Sequence, residues 1–409
     1  MKYAIVLPDG AADEPVARLD DRTPLEAAKT PWIDWISING RQGRVRTVPE
    51  GFSPGTDVAT LSLFGYDPRK CYDGRAPIEA AARRIAVASD QLVFRCNFVT
   101  VVDGCMEDYT AGHIAQPEAD KLINDLNEHV AEARCRFHSG VSYRNLLIAP
   151  TGAEMSPRCT PPHDIPGQPI EEHLPTGPGA EWVTDIMNRA ADMLRDHSVN
   201  QVRRDLGENP ATDIWLWGQG RPTELEPFTR RFGPRGAAIA AVDLVRGLAL
   251  GVGMELIDVA GATGSLDTDY AAKGRAAAAA LSDYDLVVVH VEAPDEAGHL
   301  GDVDAKVRAI ERIDEHVVGP LLDALRAHDD WRILIAPDHP TPVERRVHTA
   351  DPPPFCVAGR GVSTVLKRPF CESNAAASDL QVDPGHDLME YFLGGHATGA
   401  VVNPSRHSS

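Results

Sequence analysis

The amino-acid sequence predicts an α/β protein with a mainly parallel sheet sandwiched by helices and a smaller α+β unit inserted into it. After residue 181, short and fully apolar segments alternate with helical segments, as in buried parallel strands joined by crossover helices. Between residues 76 and 180, strands around a turn, an amphipathic helix and a Pro- and Gly-rich stretch replace this alternation. We therefore expect a core domain of residues 1–75 and 181–409 and an inserted domain of residues 76–180.

The N-terminal elements follow from local signals. An apolar run over Lys2–Leu7 ends in Pro-Asp-Gly, which predicts a buried strand followed by a sharp turn. Helical spacing over Thr23–Ile38 begins with a threonine cap and has a proline at the first helical position. A short strand over Arg44–Val48 leads into a loop, and a second helix is predicted over Asp57–Phe64.

Helices and strands alternate through the rest of the core. The run of alanines at residues 276–280 predicts a helix, because alanine has the highest helix propensity. Predicted helices lie near Glu181–Ser198 and over Val242–Gly251, Asp269–Leu281 and Val303–His328, and predicted strands lie over Asp213–Trp217, Glu255–Val259, Leu286–Val291, Arg332–Ala336 and Phe355–Ala358.

Composition and charge exclude several classes of function. The formal net charge is -20 and basic residues form no long run, so neither nucleic acid nor an anionic membrane is an expected partner. The seven cysteines are odd in number, widely spaced and without a CxxC pair, which favours a reducing cytoplasm over a disulfide framework. The N-terminal apolar run is too short for a membrane span, and the polar tail over residues 401–409 is expected to be disordered. The sequence leaves the oligomeric state open.

Carboxylates and imidazoles follow the predicted strands, at the sheet edge where ligands gather in α/β proteins. Each of them alone is more typical of a turn or a solvated loop. Three aspartates and three histidines at one edge would repel one another or be idle without a cation. Nitrogen and oxygen ligands of this kind suit two divalent ions used in catalysis. The six residues are Asp9, Asp295, His299, Asp338, His339 and His348.

Thr56 stands at the mouth of a predicted helix, in the segment GFSPGTDVATLSLFGYDP. The first interpretation of a hydroxyl at this position is a helix cap. The second is a nucleophile, because a hydroxyl beside a divalent cation loses its proton more readily than in water. A helix N-terminus also directs N–H groups and a positive dipole end toward a phosphate. The two roles are compatible, and the surrounding acids and histidines favour the nucleophile.

Eight segments of the chain are highly specific: LPDGAAD, TPLEAAKTP, VPEGFSPGTDVATLSLFGYDP, GRAPIEAA, FRCNFVT, GATGSLDTDY, HVEAPDEAGH and APDHPTP. In these segments the chain resembles the archaeal-type, cofactor-independent phosphoglycerate mutases of the alkaline phosphatase superfamily, and the likeness covers nearly the whole chain. The resemblance implies an alkaline-phosphatase-like fold. It also implies that one ion is held by Asp295, His299 and His348 and the other by Asp9, Thr56, Asp338 and His339.

The function implied by the resemblance is metal-dependent interconversion of 3-phosphoglycerate and 2-phosphoglycerate in glycolysis and gluconeogenesis, through a phospho-threonine at Thr56. The implied cofactors are two divalent ions, with Mn²⁺ favoured and Mg²⁺, Zn²⁺ or Co²⁺ as alternatives, and no 2,3-bisphosphoglycerate. The expected partner is a small phosphorylated substrate. Because the phospho-enzyme must be kept from water, we interpret the inserted domain as a lid.

Two departures from the family pattern leave the substrate open. The family usually has serine at the nucleophile position, where this chain has Thr56. Many members carry an Asp-Arg-Arg-Ala-Gly-Arg motif, and the corresponding segment keeps Asp108 but has Tyr109, Thr110 and His113 in place of the basic residues. This version resembles a bacterial subgroup described as proposed homoserine kinases. The alternatives are therefore a homoserine-kinase-like phosphotransferase or a phosphatase.

Substrate-binding side chains are predicted mainly in the inserted domain. Arg95 and Asn97 alternate along one predicted strand, so they should lie on one face. Asp108 is a candidate general acid or base for the glycerate hydroxyls. Trp215 and Trp217 are interpreted as core packing. The predicted substrate-binding residues are Arg95, Asn97, His113, Arg144 and Lys273.

Overall fold

Thirteen strands and sixteen α-helices lie in residues 1–150 and 154–394, the part of the chain that the computed structural model describes. The polar tail lies outside these residues. The strands are β1 (Lys2–Pro8), β2 (Arg41–Val45), β3 (Gln91–Val102), β4 (Cys105–Asp108), β5 (Arg136–Val141), β6 (Arg144–Pro150), β7 (Asp213–Gly220), β8 (Gly236–Ile239), β9 (Glu255–Leu256), β10 (Leu286–Val291), β11 (Trp331–Ile335), β12 (Pro354–Gly359) and β13 (Gln381–Val382).

The helices are named in chain order in the same way. They are α1 (Pro24–Ala27), α2 (Pro31–Asn39), α3 (Thr56–Leu63), α4 (Pro68–Cys71), α5 (Arg75–Ala82), α6 (Gln116–His129), α7 (Ala180–Arg195), α8 (Ser198–Asp205), α9 (Phe228–Phe232), α10 (Asp243–Gly251), α11 (Tyr270–Ala280), α12 (Ala293–Leu300), α13 (Val303–Ile313), α14 (Gly319–Arg326), α15 (Glu372–Ala376) and α16 (Leu388–Leu393). None of these described helices combines the length and the apolar composition needed to cross a bilayer.

The larger of two units consists of residues 1–72 and the described residues from 224 onward. Its sheet has eight strands in the order β13-β2-β12-β11-β1-β10-β8-β9. The five strands from β11 to β9 are parallel, and β12 is antiparallel to both of its neighbours. The predicted α/β fold with a mainly parallel sheet is therefore confirmed.

Apolar side chains on both faces hold the central strands inside this unit. Every residue of β10 is buried, as expected of a parallel strand covered by helices on either side. Helices α2, α11, α13 and α14 contribute Ile33, Ala277, Ile310 and Leu321 to one apolar cluster that also contains Val289 of β10. With both faces covered, the strand ends are where polar side chains can gather.

Two predicted helices are divided in the structure. The segment Thr23–Ile38 forms α1 and α2, because Pro31 has no N–H to donate and disfavours helical backbone in the residue before it. Thr23 caps α1 as predicted, since its hydroxyl accepts an N–H from the third helical position. The segment Val303–His328 forms α13, a π-helical turn over Asp314–Val318, and α14.

The smaller unit, residues 73–223, contains an antiparallel sheet. Strand β3 pairs with β4, β6 and β7, and β5 pairs with β6. Helices α6 and α7 pack in the same apolar cluster, through side chains such as Leu122 and Ile186 beside Phe98 of β3. This is the α+β architecture that the sequence predicts for the inserted segment.

The boundary of this unit differs from the predicted one. We expect Asp213–Trp217 in the parallel sheet because it follows the alternation of helices and strands, but β7 pairs antiparallel with β3. Helix α7 also packs inside this unit. The composition of an apolar strand does not show which strand it pairs with. The C-terminal boundary of this unit, predicted at residue 180, therefore lies at residue 223 instead.

Candidate active site

Polar side chains of the larger unit gather at the carboxyl edge of its parallel sheet. Asp9 directly follows β1, and Asp338 and His339 follow the neighbouring β11. Asp295 and His299 lie four residues apart on α12, which begins after β10, so they share one face of that helix. Because parallel strands end at the same edge, residues far apart in sequence meet here.

Asp295, His299 and His348 form the first of two clusters. Nε2 of His299 lies 3.3 Å from Asp295 Oδ2, and Nε2 of His348 lies 3.2 Å from Asp295 Oδ1. The two Nε2 atoms are 2.9 Å apart. The Asp295 carboxylate is buried, whereas the His299 side chain is 42% exposed, so this cluster opens to solvent.

Backbone carbonyls orient both imidazoles of the first cluster. His299 Nδ1 lies 3.0 Å from the carbonyl oxygen of Arg346, and His348 Nδ1 lies 3.3 Å from that of Pro54. A carbonyl can only accept, so each Nδ1 donates and each Nε2 presents a lone pair in the neutral ring. Two lone pairs facing each other repel unless a cation or a proton lies between them. Metal-binding histidines are commonly oriented in this way.

Asp9, Asp338 and His339 form the second cluster, and all three are buried. His339 Nε2 lies 3.4 Å from Asp9 Oδ1 and 3.4 Å from Asp338 Oδ2. These two carboxylate oxygens are buried and have no hydrogen-bond partner among the described residues. A buried polar atom left unpaired costs about 1–3 kcal/mol, and more when it is charged. Such a pair of oxygens fits a site for a cation.

Thr56 is the first residue of α3 and is 4% exposed. Its Oγ1 lies 3.3 Å from Asp9 Oδ2 and 3.3 Å from His339 Nε2, so the hydroxyl belongs to the second cluster. It does not cap the helix, since the N-cap position is Gly55 and no side chain caps α3. The cap interpretation of Thr56 is therefore wrong, and its place suits the nucleophile interpretation.

The two clusters differ in charge. Burial raises the pKa of Asp9, and the carboxylates of Asp338 and Asp295 add to the effect, so this pKa lies well above its usual range. Burial also raises the pKa of Asp295, but the neighbouring His299 and His348 imidazoles outweigh it and hold that pKa well below its usual range. The hydrogen bond to Asp295 raises the pKa of His299 to about 9. A proton can thus supply positive charge in the first cluster, whereas carboxylates outnumber imidazoles in the second.

Divalent cations fit both clusters. Metal–ligand distances of about 2.0–2.2 Å place neighbouring ligand atoms roughly 3–3.5 Å apart, and the separations here range from 2.9 to 3.4 Å. The unpaired oxygens of the second cluster and the facing lone pairs of the first would both be stabilised by positive charge. Mixed nitrogen and oxygen ligands without a thiolate suit Mn²⁺, Mg²⁺, Zn²⁺ or Co²⁺.

The clusters are adjacent. The rings of His299, His348 and His339 follow one another with centroid separations of 4.7 and 4.1 Å. Gly10 has a φ of +59°, and a Cβ at this position would lie 2.6 Å from Asp295 Oδ1. Only glycine therefore lets the loop after β1 approach α12 this closely.

Sequence analysis misses His290 and Glu292, which form a third group with Asp9. His290 Nε2 lies 2.7 Å from Asp9 Oδ2 and 3.7 Å from Glu292 Oε2. A signal was available, because His290 is the one polar residue in the apolar strand LVVVHV. The neighbouring glutamate follows immediately after that strand.

Lys273 is predicted to bind substrate, but the structure buries it completely. Its Nζ donates to the carbonyl of His290 at 3.2 Å, and burial lowers its pKa to about 8. Its observed partner is the backbone of β10, and its predicted role in substrate binding stays a prediction. Lys306 has a comparable supporting place, since its Nζ donates to Asp13 Oδ2 at 2.7 Å and to the carbonyl of Thr341 at 2.8 Å.

In the smaller unit, Arg95 and Asn97 both contact Trp217 of β7. The guanidinium carbon of Arg95 lies 4.2 Å from the indole centroid, and the indole N–H donates to Asn97 Oδ1 at 3.1 Å. These contacts agree with the alternation that places both on one face. Arg95 is 11% exposed and pairs with Glu79 at 3.1 Å, and burial lowers its pKa to about 10.

The other two predicted residues of this unit lie around Tyr143. Arg144 and His113 are exposed, with the guanidinium carbon and the imidazole centroid 5.3 and 5.9 Å from the Tyr143 ring. Further ring contacts connect them to Trp217, which sequence analysis interprets only as core. We call this set the aromatic face: Arg95, Asn97, Tyr109, His113, Tyr143, Arg144, His163 and Trp217.

Asp108 accepts four hydrogen bonds at the end of β4. Oδ1 accepts the N–H and the hydroxyl of Thr110, and Oδ2 accepts the N–H of Gly112 and the amide of Asn209. Burial raises the pKa of Asp108, but these bonds outweigh burial and lower the pKa below its usual value. The contacts stabilise the turn and keep the carboxylate anionic, so they favour a base over an acid.

A parallel α/β sheet that carries paired carboxylate–imidazole clusters beside a buried hydroxyl defines a class of α/β phosphotransfer enzymes. A family model described as 2,3-bisphosphoglycerate-independent phosphoglycerate mutase matches residues 38–200. The mutase of that name from Methanothrix thermoacetophila is 49% identical over 396 residues, which cover 97% of this chain and 100% of the relative. The second such mutase of Methanothermobacter thermautotrophicus is 49% identical over 394 residues, 96% and 97% of the two chains. The chain belongs to the family of 2,3-bisphosphoglycerate-independent phosphoglycerate mutases.

Solved structures agree with this assignment. A protein of Pyrococcus horikoshii is 30% identical, with a TM-score of 0.82 and 96% of each chain covered. The cofactor-independent phosphoglycerate mutase of Thermoplasma acidophilum is 25% identical, with a TM-score of 0.63 and 96% and 99% of the two chains covered. The resemblance seen in the eight sequence segments is confirmed, and so is the enzyme class. Independence from 2,3-bisphosphoglycerate follows from the family's name.

Proposed function

We propose that this chain interconverts 3-phosphoglycerate and 2-phosphoglycerate by moving the phosphoryl group to Thr56 and back. The observation that carries the proposal is the place of the Thr56 hydroxyl, 3.3 Å from both Asp9 and His339, in a member of the mutase family. The seven cysteines are all free. Free thiols are typical of a reducing cytoplasm, where the reaction would serve glycolysis and gluconeogenesis.

Two divalent ions belong to this proposal, with Mn²⁺ favoured and Mg²⁺, Zn²⁺ or Co²⁺ as alternatives. When bound, such ions lower the pKa of a neighbouring hydroxyl and stabilise negative charge on the oxygens of phosphoryl transfer. One ion would be held by Asp295, His299 and His348, and the other by Asp9, Asp338, His339 and Thr56.

The chemical steps involve one residue of the chain covalently. Thr56 Oγ1 gives up its proton and bonds to phosphorus, the bond from phosphorus to the first glycerate oxygen breaks, and that oxygen takes up a proton. The other glycerate hydroxyl then gives up its proton and bonds to phosphorus, the bond from phosphorus to Thr56 Oγ1 breaks, and Oγ1 takes up a proton. The N–H groups and the positive dipole end of α3 stabilise the phosphoryl oxygens in both transfers.

We assign substrate recognition to the aromatic face of the smaller unit. Arg144 and His113 are exposed beside Tyr143, so they can contact a carboxylate or phosphate. Arg95 and Asn97 are engaged with Glu79 and Trp217, so they would support the face and contribute less contact of their own. We propose that Asp108 serves as a base for glycerate and that this unit acts as a lid against water.

The segment after Asp108 favours testing a second function, that of a homoserine-kinase-like enzyme or a phosphatase. Tyr109, Thr110 and His113 stand where many archaeal members have basic residues, and Thr110 is occupied with Asp108. Homoserine carries no phosphate, so an enzyme that phosphorylates it from ATP would need fewer arginines at this motif. A phosphatase would result if water reached the phospho-threonine.

An enolase-coupled assay tests the proposal. The full chain receives 3-phosphoglycerate and Mn²⁺ without 2,3-bisphosphoglycerate, and a parallel sample receives a chelator. We expect 2-phosphoglycerate to form with Mn²⁺, to stop with chelator and to exceed released inorganic phosphate. Release of phosphate alone would instead indicate a phosphatase. Phosphohomoserine from ATP and homoserine, without mutase activity, would indicate the kinase.

A further inference from the structure

His290 is an isolated polar residue in a buried strand. The other residues of β10 are apolar, and the His290 side chain is 1% exposed. Strand β10 pairs with β1 in a register that sets His290 opposite Leu7. Two residues further along, Asp9 brings its carboxylate to the imidazole, 2.7 Å from Oδ2 to Nε2. A buried imidazole in such surroundings needs a hydrogen-bond partner, and Asp9 provides it.

The length of this contact is that of a hydrogen bond. Charge-assisted N–H···O⁻ bonds are about 2.7–2.9 Å long, and the His290–Asp9 contact is 2.7 Å. The atoms that would share an ion in the second cluster are farther apart, with both carboxylate oxygens 3.4 Å from His339 Nε2. With Asp9 ionised, as a ligand of a cation requires, its carboxylate can only accept, so His290 Nε2 donates to it. The other nitrogen, His290 Nδ1, has no hydrogen-bond partner among the described residues, and the other oxygen of Asp9 lies 3.4 Å from His339 Nε2.

We propose that His290 is a positioning residue, which donates Nε2–H to Asp9 Oδ2 and so directs Oδ1 toward a divalent ion shared with Asp338 and His339. The inference rests on the proposed function, because it assumes an ion in the second cluster. Without the donor, the Asp9 carboxylate can rotate about its terminal torsion, and the buried Oδ1 loses its fixed direction. Metal-binding carboxylates and histidines held by such outer contacts lose affinity when the contact is removed.

The backbone supports His290 from its carbonyl side. Lys273 is fully buried, and its Nζ donates to the His290 carbonyl at 3.2 Å. This contact holds the end of β10 where the imidazole can reach Asp9. Glu292 contributes less, since its Oε2 is 3.7 Å from His290 Nε2, beyond hydrogen-bond distance. A third ion held by Asp9, His290 and Glu292 is the competing interpretation of the same side chains.

Calorimetric titration with Mn²⁺ of the chelator-treated full chain tests the proposal. His290→Leu removes the donor, and His290→Gln keeps an N–H near the position of Nε2. We expect two ions per wild-type chain, one of which binds about 10–100-fold more weakly in His290→Leu, with substantial recovery in His290→Gln. Val288→Ala in the same strand is the matched control for loss of buried volume, and it should change thermal stability without changing either affinity.

Several results would overturn the proposal. Equal affinities in wild type and His290→Leu would show that Asp9 needs no positioning, and equal weakening in the Leu and Gln variants would show that the N–H donor is not the cause. Three ions in wild type and two in both variants would make His290 a ligand. No Mn²⁺ bound by wild type would refute the metal-dependent function together with this inference, so the two failures are distinguishable. If His290→Leu does not fold, His290→Asn, whose amide is too short to reach Asp9, replaces it.

Discussion

The second cluster of the larger unit and the aromatic face of the smaller unit differ in whether their buried polar groups have partners. In the cluster, Asp9 Oδ1 and Asp338 Oδ2 are buried without a hydrogen-bond partner among the described residues. In the aromatic face, Arg95 is paired with Glu79 and Asn97 accepts from Trp217. One region is electrostatically incomplete, and the buried part of the other is complete by itself.

This difference distinguishes residues suited to bind a cation from residues whose contacts stabilise the fold. A buried carboxylate without a partner is stable only if something else supplies positive charge. A buried arginine that is already paired with a glutamate has its charge compensated and gains little from a second anion. We therefore expect changes in the cluster to affect catalysis and ion binding, and changes in the buried part of the face to affect folding.

Removal of the Thr56 hydroxyl should have the largest effect. Because Oγ1 lies between Asp9 and His339 and is the proposed nucleophile, Thr56→Ala should lower kcat by on the order of 10⁴-fold or more. The loss should occur without unfolding, since an alanine is well tolerated at the start of α3. The enolase-coupled assay measures kcat, and intact-protein mass spectrometry detects the phosphoryl adduct.

Thr56→Ser is the matched control, because it keeps the hydroxyl and removes only the methyl group. It should retain mutase activity and form a phosphoryl adduct on residue 56. Mutase activity of Thr56→Ala close to that of wild type would rule out the nucleophile role, even if the chain proved to be a phosphoglycerate mutase.

Loss of the Arg95 guanidinium should lower the free energy of unfolding of the smaller unit. Arg95→Met leaves Glu79 as a buried, unpaired carboxylate, and breaking a buried pair from one side typically costs about 3–5 kcal/mol. Urea unfolding followed by tryptophan fluorescence reports this loss, because Trp217 lies against Arg95. Arg134→Met is the matched control, since its pair with Asp90 is exposed on both sides and should contribute below about 1 kcal/mol. A stable Arg95→Met protein with a raised KM would instead place Arg95 on the substrate.

Much of the cluster could be predicted because its residues follow strand ends. Asp9 and Asp338 come after apolar segments that are recognisable by composition alone, and parallel strands end at one edge. The role of His290 was not predicted, because a single histidine inside an apolar strand does not show which residue lies beside it. That neighbour is set by the pairing of β10 with β1, a tertiary property.

The smaller unit was harder to predict for the same reason. The segment Asp213–Trp217 has the composition of a parallel strand, yet it pairs antiparallel with β3 and moves the boundary of the unit. The side-chain partners Glu79 and Trp217 of Arg95 lie in segments far from it in sequence. Local patterns thus predicted which polar residues share a face of a strand, but not which of them already have partners.

Glu372 is a partly buried carboxylate of the larger unit, and both of its oxygens accept hydrogen bonds. Its Oε1 accepts the N–H of Asp13 at 3.0 Å, and Oε2 accepts the hydroxyl of Thr23 at 2.6 Å. Burial raises its pKa from 4.5 to about 7. The folded state therefore binds the proton more tightly than the unfolded state, so this stabilisation is full below pH 4.5 and is lost as the pH rises to about 7.

Glu372→Gln should remove that pH dependence. At about 1.4 kcal/mol per pKa unit, the stability of the variant relative to wild type should rise by roughly 3 kcal/mol between pH 4.5 and pH 8. Urea unfolding of chelator-treated protein at several pH values measures the difference. Glu50→Gln, at an exposed position of the same unit, should show no such trend. Parallel pH profiles for wild type and Glu372→Gln would show that this carboxylate is ionised in the folded chain at low pH.

Arg144 should give the smallest effect and the sharpest test of the exposed part of the aromatic face. Its side chain is exposed beside Tyr143, so Arg144→Ala should leave the free energy of unfolding within about 0.5 kcal/mol of wild type. If the guanidinium contacts the substrate anion, KM should rise by about tenfold, the equivalent of roughly 1.4 kcal/mol. Arg195→Ala, which removes an exposed arginine paired with Asp192, should leave KM unchanged. An unchanged KM in Arg144→Ala would restrict substrate recognition to residues outside this part of the face, and the comparison between the two regions would then rest on the cluster alone.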